Sequence, residues 1–212
     1  MSSSVCRSRN NVTIERLPIE LRQGIMMFLP DLKSLAAMAI SCSAFYDAFC
    51  EAEVHIVSHV FNVEMDIDLL PEAVAVLESS HTRWARDSLL HFNEKHLMSR
   101  EYHERFWYMS DATSVIRLYH LIHQLAIDFA SQSLIAYGEV DSPTKEELNR
   151  FERAFYRYQL YCNLYGDLMN PILSVQDQSS EFLHMFSYWE NEQLACVRDY
   201  LFRLIAPCKS YP

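Results

Sequence analysis

Residues 17–35 read LPIELRQGIMMFLPDLKSL and place two apolar segments on either side of a Pro-Asp pair. Pro18 suits the first turn of a helix, because its fixed φ fits there and its missing N–H is not needed. The apolar residues that follow recur at helical spacing and are Leu21, Ile25, Phe28 and Leu29. Pro30 ends this helix, and Asp31 can cap the next one. The stretch therefore predicts two consecutive apolar helices near the N-terminus.

Helical spacing continues through most of the chain. Only 3 of the 212 residues are glycine, whereas all-β folds rely on glycine in tight turns. The pattern predicts one helix from Asp31 to about Phe49 and further helices over 52–63, 71–79, 83–97, 100–109, 111–137 and 144–164, with a last one after Ser187. We expect an all-α fold in which an N-terminal helical module is continuous with a multi-helix body.

The chain divides into three parts by composition. Residues 1–13 are polar and rich in Ser, Asn and Arg, which predicts a disordered tail. Residues 14–50 form the N-terminal module, and 51–212 form the helical body. Within the body, the strongest loop signal is GEVDSPTKEE at 138–147. Capping boxes are predicted at Thr144-x-x-Glu147 and Ser187-x-x-Glu190.

Charge and cysteine usage indicate where the chain acts. The formal net charge is −10, which disfavours the phosphate backbone of nucleic acids and anionic membrane surfaces. No apolar run reaches membrane-spanning length. The cysteines show no C-x-x-C spacing, and they are Cys6, Cys42, Cys50, Cys162, Cys196 and Cys208. We interpret them as reduced, buried thiols of an intracellular protein, in the cytoplasm, the nucleus or both.

Histidine pairs are the only local hint of a metal site. His55 and His59 share a helical face, as in zinc proteases, but Ile56 stands where such enzymes need a glutamate. No third ligand follows at an obvious spacing, although Glu51 lies one turn before His55. His120 and His123 lie among apolar residues, as in ordinary packing. Zinc requires three or four converging ligands, so we expect no metal. Because no phosphate-binding loop, dinucleotide fingerprint or nucleophile elbow is present, we also expect no enzyme activity and no cofactor.

The segment RFERAFYRYQLYCNLYG at 150–166 combines an aromatic stripe with a basic edge. The stripe contains Phe151, Phe155, Tyr158, Cys162 and Tyr165, and its helical spacing favours a core face. The edge contains Arg150, Arg153 and Arg157. One interpretation is that these arginines are solvated or paired with acids such as Glu146 and Glu147. The other is that they bind an acidic or phosphorylated segment of a substrate.

The N-terminal pattern resembles the F-box. That motif reads L-P-x-E-[LI]-x-x-x-I-x-x-x-L, a turn, and then L-x6-C-x2-[WF], and this chain follows it from Leu17 through Leu35 and Cys42 to Phe45. The resemblance implies that the module docks on a Skp-type adaptor, which joins it to a cullin-based ubiquitin ligase. The adaptor-binding positions it implies are Leu17, Pro18, Leu21, Ile25, Leu29 and Leu35.

The rest of the chain is similar to helical F-box-like proteins of filamentous fungi. The similar segments are RFERAFYRYQLYCNLYG and FSYWENEQLACVRDYL. The resemblance implies a non-enzymatic subunit that brings an unknown protein substrate to the ligase, with the helical body at 51–212 as the region that recognises the substrate. Two alternatives stay open: a helical scaffold or interaction protein whose F-box-like start is purely structural, and an unrecognised enzyme.

Overall fold

The computed structural model describes residues 14–80, 84–98, 105–137, 142–167 and 171–206. These ranges contain helices and no strand, so the predicted all-α fold is confirmed for them. Their α-helices are α1 (Ile19–Met27), α2 (Leu32–Ala39), α3 (Ser43–Glu64), α4 (Leu70–Ser80), α5 (Arg86–Phe92), α6 (Met109–Tyr137), α7 (Lys145–Tyr165), α8 (Val175–Leu183) and α9 (Tyr188–Ile205). The predicted tail at 1–13 and the first part of the predicted loop at 138–147 lie outside the described residues.

The described residues form two compact units. Unit 1 runs to Glu64 and also includes Phe106–Ala112, whereas unit 2 contains Met65–Arg105 and the residues from Thr113 onward. The sequence pattern predicts that the helical body starts at residue 51, whereas in the structure α3 continues within unit 1 to Glu64.

Unit 1 is built on α3, against which α1 and α2 pack. Its core contains the fully buried side chains of Met26, Leu35, Ile56 and Val60. The returning segment completes this core, because the ring of Trp107 stacks on Phe61 with 4.1 Å between centroids. The Trp107 amide also donates to Ser58 Oγ at 3.1 Å. Phe106–Ala112 therefore belongs to the N-terminal unit although it is distant in sequence.

Two helix boundaries in unit 1 differ from the prediction. The single helix expected from Asp31 to Phe49 is interrupted, since α2 ends at Ala39 and α3 begins at Ser43. Asp31 does cap α2, with its Oδ1 accepting from the Ser34 amide at 2.6 Å. Further on, α3 is kinked at Ala52, where φ is −134° and ψ is 27°. The kink lies where the sequence pattern predicted a new helix at residue 52.

In unit 2, α7 packs between α4 and α9. The predicted core position of Phe155 is confirmed, because its side chain is buried and its ring approaches Phe129 and Tyr200 with centroid distances of 6.3 and 6.2 Å. Apolar burial of this kind is the main stabilising contribution to a helical core. Phe155 of the aromatic stripe thus joins α6 and α9. Cys162 of the same stripe is exposed, as are Cys50 and Cys196, so the predicted burial of these cysteines is wrong.

Local capping signals set the starts of α7 and α9. Thr144 and Ser187 form the predicted capping boxes with Glu147 and Glu190. The helix predicted over 100–109 is wrong for Arg105–Tyr108, which have no regular structure, and the rest of that range lies outside the described residues. The predicted helix over 83–97 begins later, as α5, and continues as a π-helical turn over Asn93–Met98.

Candidate functional site

One face of α1 exposes apolar side chains to solvent. Leu21 is 55% exposed and Phe28 is 91% exposed, and Ile25 between them is half-buried. These three residues, which we call the α1 face, recur at the i, i+4, i+7 spacing of one helical side. A large apolar side chain that stays exposed is more informative than a buried one, since exposed apolar patches mark interaction sites.

The opposite side of α1 holds the helix against α3. Met26 is fully buried. The guanidinium of Arg22 donates to the carbonyl oxygen of Ala44, and the Gln23 Nε2 donates to that of Ala48 at 3.2 Å. Met26, Arg22 and Gln23 therefore contribute to the intramolecular contact, whereas Leu21 and Phe28 remain exposed in the part of the chain that the structure describes.

The other positions implied by the F-box resemblance are placed differently. Pro18 is exposed as the N-cap residue of α1, and Leu17 and Leu29 are half-buried. Leu35 has no exposed surface, because it belongs to the core of unit 1. Leu35 therefore stabilises the core of unit 1, whereas Pro18 and the exposed residues of the α1 face, Leu21 and Phe28, are accessible to a partner. Ile40, just after α2, is 78% exposed and was not among the predicted positions.

A second candidate site is a cavity of about 400 Å³ in unit 2, which we call the arginine cavity. Arg150, Arg153 and Arg157 all line it, so the three predicted basic residues do share one site. Their spacing along α7 puts them on one side of the helix. The wall also contains apolar and aromatic residues, namely Pro71, Ala75, Leu97, Tyr156, Leu160 and Phe186. Such a combination of apolar walls and a few polar groups is typical of ligand sites.

The expected basic edge implied that Arg157 lies at the surface, but in the structure this arginine is buried. Its side chain is 6% exposed, and its Nη2 lies 3.2 Å from Glu72 Oε1 and 2.9 Å from Glu190 Oε1. Its guanidinium carbon is also 4.8 Å from the ring centroid of Phe186. Two carboxylates thus compensate its charge, and the group ties α4 and α9 to α7.

Arg150 and Arg153 are in a different situation. Arg150 is exposed and Arg153 is half-buried, and neither forms an ion pair with another residue of the described ranges. Glu147, the expected partner of Arg150, is used as a cap: its Oε2 accepts from both the Thr144 amide and hydroxyl at 2.8 Å. That amide hydrogen bond is the main reason why the pKa of Glu147 is lowered, with the charge of Arg150 contributing least.

Tyr156, which the sequence analysis did not single out, lines the same cavity. Its side chain is fully buried, and its hydroxyl has no hydrogen-bond partner in the part of the chain that the structure describes. Burial raises its pKa far above the usual range, so the phenol remains a neutral hydrogen-bond donor. A buried hydroxyl without a partner is destabilising, and such groups in native proteins call for an explanation.

The π-helical turn contributes His96 and Leu97 to the wall. His96 Nε2 lies 2.8 Å from Glu78 Oε2, which also accepts from Lys95 Nζ at 2.8 Å. Burial lowers the pKa of His96 in spite of Glu78, so the imidazole is neutral near pH 7. π-helical turns occur frequently at functional sites.

Outside the arginine cavity, the structure corrects the interpretation of His123 as ordinary packing. Its Nδ1 lies 2.6 Å from Oε1 of Glu152, a carboxylate with 2% of its side chain exposed. Burial raises the pKa of Glu152, and the hydrogen bond from His123 opposes that effect. The contact is a partly buried polar link between α6 and α7, since the side chain of His123 is 40% exposed.

Neither a metal cluster nor a membrane span is found within the described ranges. No three His, Cys, Asp or Glu side chains there converge as metal ligands, and His55 and His59 are both exposed. None of the helices there combines the length and the apolarity needed to cross a membrane. Comparison with protein-family models, with curated proteins and with solved structures finds no match to this chain.

Proposed function

We propose that the chain is a non-enzymatic substrate-recognition subunit of a ubiquitin ligase of the Skp/cullin/F-box type. The α1 face carries the proposal: Leu21 and Phe28 are exposed at positions where the F-box-like pattern places adaptor contacts or their neighbours. An apolar face of this kind favours a protein partner, because covering it removes apolar surface from water.

In this proposal the partner of unit 1 is a Skp-type adaptor, and through it a cullin. Ubiquitin transfer is carried out by other subunits, and this chain increases the effective concentration of a protein substrate near them. Such an assembly acts in the cytoplasm, the nucleus or both. The arginine cavity is the candidate site for a substrate group, and it requires no catalytic residue of this chain.

The test is co-purification of a Skp-type adaptor with the full chain and with the double variant Leu21→Asp/Phe28→Asp. Burying each side chain is worth about 1.5–3 kcal/mol, so the double variant should bind at least about a hundredfold more weakly. Its helical circular dichroism should match that of the unchanged protein, because both side chains are exposed.

The matched control is Phe202→Asp on α9, which changes a residue of similar type that is 67% exposed. We expect this variant to retain adaptor binding. Replacing Leu17-Pro18 with Ala-Ala tests the start of the motif in the same assay. If the unchanged chain fails to retain the adaptor, or the double variant retains it fully, the F-box-like start is a structural feature of a helical scaffold.

A further inference from the structure

We propose that the arginine cavity binds a phosphate monoester carried on an apolar body, with Arg150, Arg153 and Tyr156 as the residues that contact the phosphate. The three residues lie on α7 and line one cavity of about 400 Å³, a volume in the range of small-ligand sites. The proposal concerns unit 2 and is independent of adaptor binding by unit 1.

Three arginines and three carboxylates, Asp68, Glu72 and Glu190, line the cavity, and their pairing leaves Arg150 and Arg153 to meet an anion. Arg157 is compensated by Glu72 and Glu190, and Asp68 is close enough to Lys145 for its charge to help raise the pKa of that lysine, behind the larger effect of Asp66. Arg150 and Arg153 remain without an ion-pair partner among the described residues. A phosphate monoester carries a charge of about −1.5 to −2 at pH 7, which matches two arginines.

Tyr156 provides the second, independent observation. Its hydroxyl is buried without a partner in the described structure and stays protonated, so it is available to donate to a phosphate oxygen. Hydrogen bonds to charged acceptors are the stronger kind. A bound phosphate therefore supplies the acceptor that this donor lacks.

The remaining wall accounts for the apolar body. Leu160 and Phe186 are both buried residues that line the cavity, and Leu97 of the π-helical turn is a third. Arg157 contributes as a positioning residue, since its contacts with Glu190 and Phe186 hold α9 against α7. An aromatic phosphate is therefore a better fit than inorganic phosphate, which cannot contact this wall.

The experiment is isothermal titration of the full chain with phenyl phosphate, with inorganic phosphate and phenol as matched controls. A second arm uses a short peptide with one phosphotyrosine and its unphosphorylated counterpart, which separates a free phosphate ester from a phosphorylated protein segment. We expect phenyl phosphate or the phosphopeptide to bind more tightly than its controls. The proposal is wrong if neither does so.

Three variants test which residues contact the phosphate. The double variant Arg150→Gln/Arg153→Gln should lose binding by more than about tenfold, and Tyr156→Phe by about 10- to 100-fold. Arg117→Gln, which removes an exposed arginine of α6 that does not line the cavity, should bind as the unchanged chain does. Equal weakening by Arg117→Gln would indicate only a general charge effect and overturn the proposal.

Thermal unfolding of Tyr156→Phe shows whether the variant loses phosphate binding alone or also loses folding stability. Because the hydroxyl has no partner in the described structure, its removal should leave the melting temperature unchanged or raise it. A variant that binds phosphate esters as well as the unchanged chain would contradict the role of Tyr156. A lower melting temperature would show that the hydroxyl has a structural role instead.

Discussion

Replacing Arg157 with methionine should destabilise unit 2 through the carboxylates that it leaves behind. In the folded chain the arginine is 6% exposed, and the side chains of its partners Glu72 and Glu190 are 19% and 22% exposed. Methionine retains a flexible apolar side chain for packing against Phe186. The variant therefore removes the positive charge and its hydrogen bonds with little loss of packing.

The expected magnitude follows from the burial of the group. Removing one partner of a buried ion pair costs about 3–5 kcal/mol, because the remaining charge is left uncompensated. About a fifth of each carboxylate side chain stays in contact with water, so we expect the lower end, about 3 kcal/mol. If the free energy of unfolding falls by about 2 kcal/mol per molar urea, the urea concentration at the unfolding midpoint should fall by about 1.5 M.

Urea unfolding at pH 7, followed by circular dichroism, measures this change. A triple variant that adds Glu72→Gln and Glu190→Gln to Arg157→Met is the decisive comparison. It should recover most of the loss, because replacing a whole buried charged group by neutral residues is often nearly neutral. Glutamine at position 190 can still serve the capping box of α9. A midpoint shift of Arg157→Met below about 0.3 M, or a triple variant as unstable as the single one, would refute the reasoning.

Two further predictions concern the interior of unit 2. Phe155→Ala should cost about 3–5 kcal/mol in urea unfolding, because Phe155 is buried beside Phe129 and Tyr200, and the exposed Phe202→Ala should change stability by less than about 0.5 kcal/mol. A stable Phe155→Ala variant would contradict its core role. Glu152→Gln should be more stable than the unchanged chain at pH 7, since burial raises the pKa of Glu152 in the folded state. The stability contributed by such a carboxyl is complete below its unfolded pKa of about 4.3 and is lost as the pH rises through the folded pKa, so the advantage of the variant should disappear below about pH 4. A variant that is less stable at pH 7 would show that the contact with His123 outweighs burial.

The helical fold and several helix starts were predictable because their signals are local. Scarce glycine and continuous helical spacing indicated the all-α class. The capping box that marks the start of α7 is contained in the four residues from Thr144 to Glu147. The pattern also grouped Leu21, Ile25 and Phe28 on one side of α1. It did not tell which side packs, because that depends on contacts of Arg22 and Gln23 with the backbone of α3.

The arginine cavity was predictable only in part. Helical spacing placed Arg150, Arg153 and Arg157 on one edge, but it could not separate the buried arginine from the other two. The separation comes from Glu72, which is 85 residues away from Arg157 in sequence, and from Glu190 on α9. Tyr156 gave no signal at all, since an aromatic residue in a helix next to an aromatic stripe is ordinarily core.

The return of Phe106–Ala112 to unit 1 has a consequence for synthesis of the chain on the ribosome. Trp107 stacks on Phe61 in the core of the first unit, yet it is translated only after Met65–Arg105, which belong to unit 2. At about 5–20 residues per second, Trp107 follows Phe61 by roughly 2–9 seconds. During that interval the nascent first unit lacks the indole that stacks on Phe61, and transiently exposed apolar surface of this kind is what chaperones protect from aggregation. A recombinant fragment that ends at Glu64 would remain permanently in the same state.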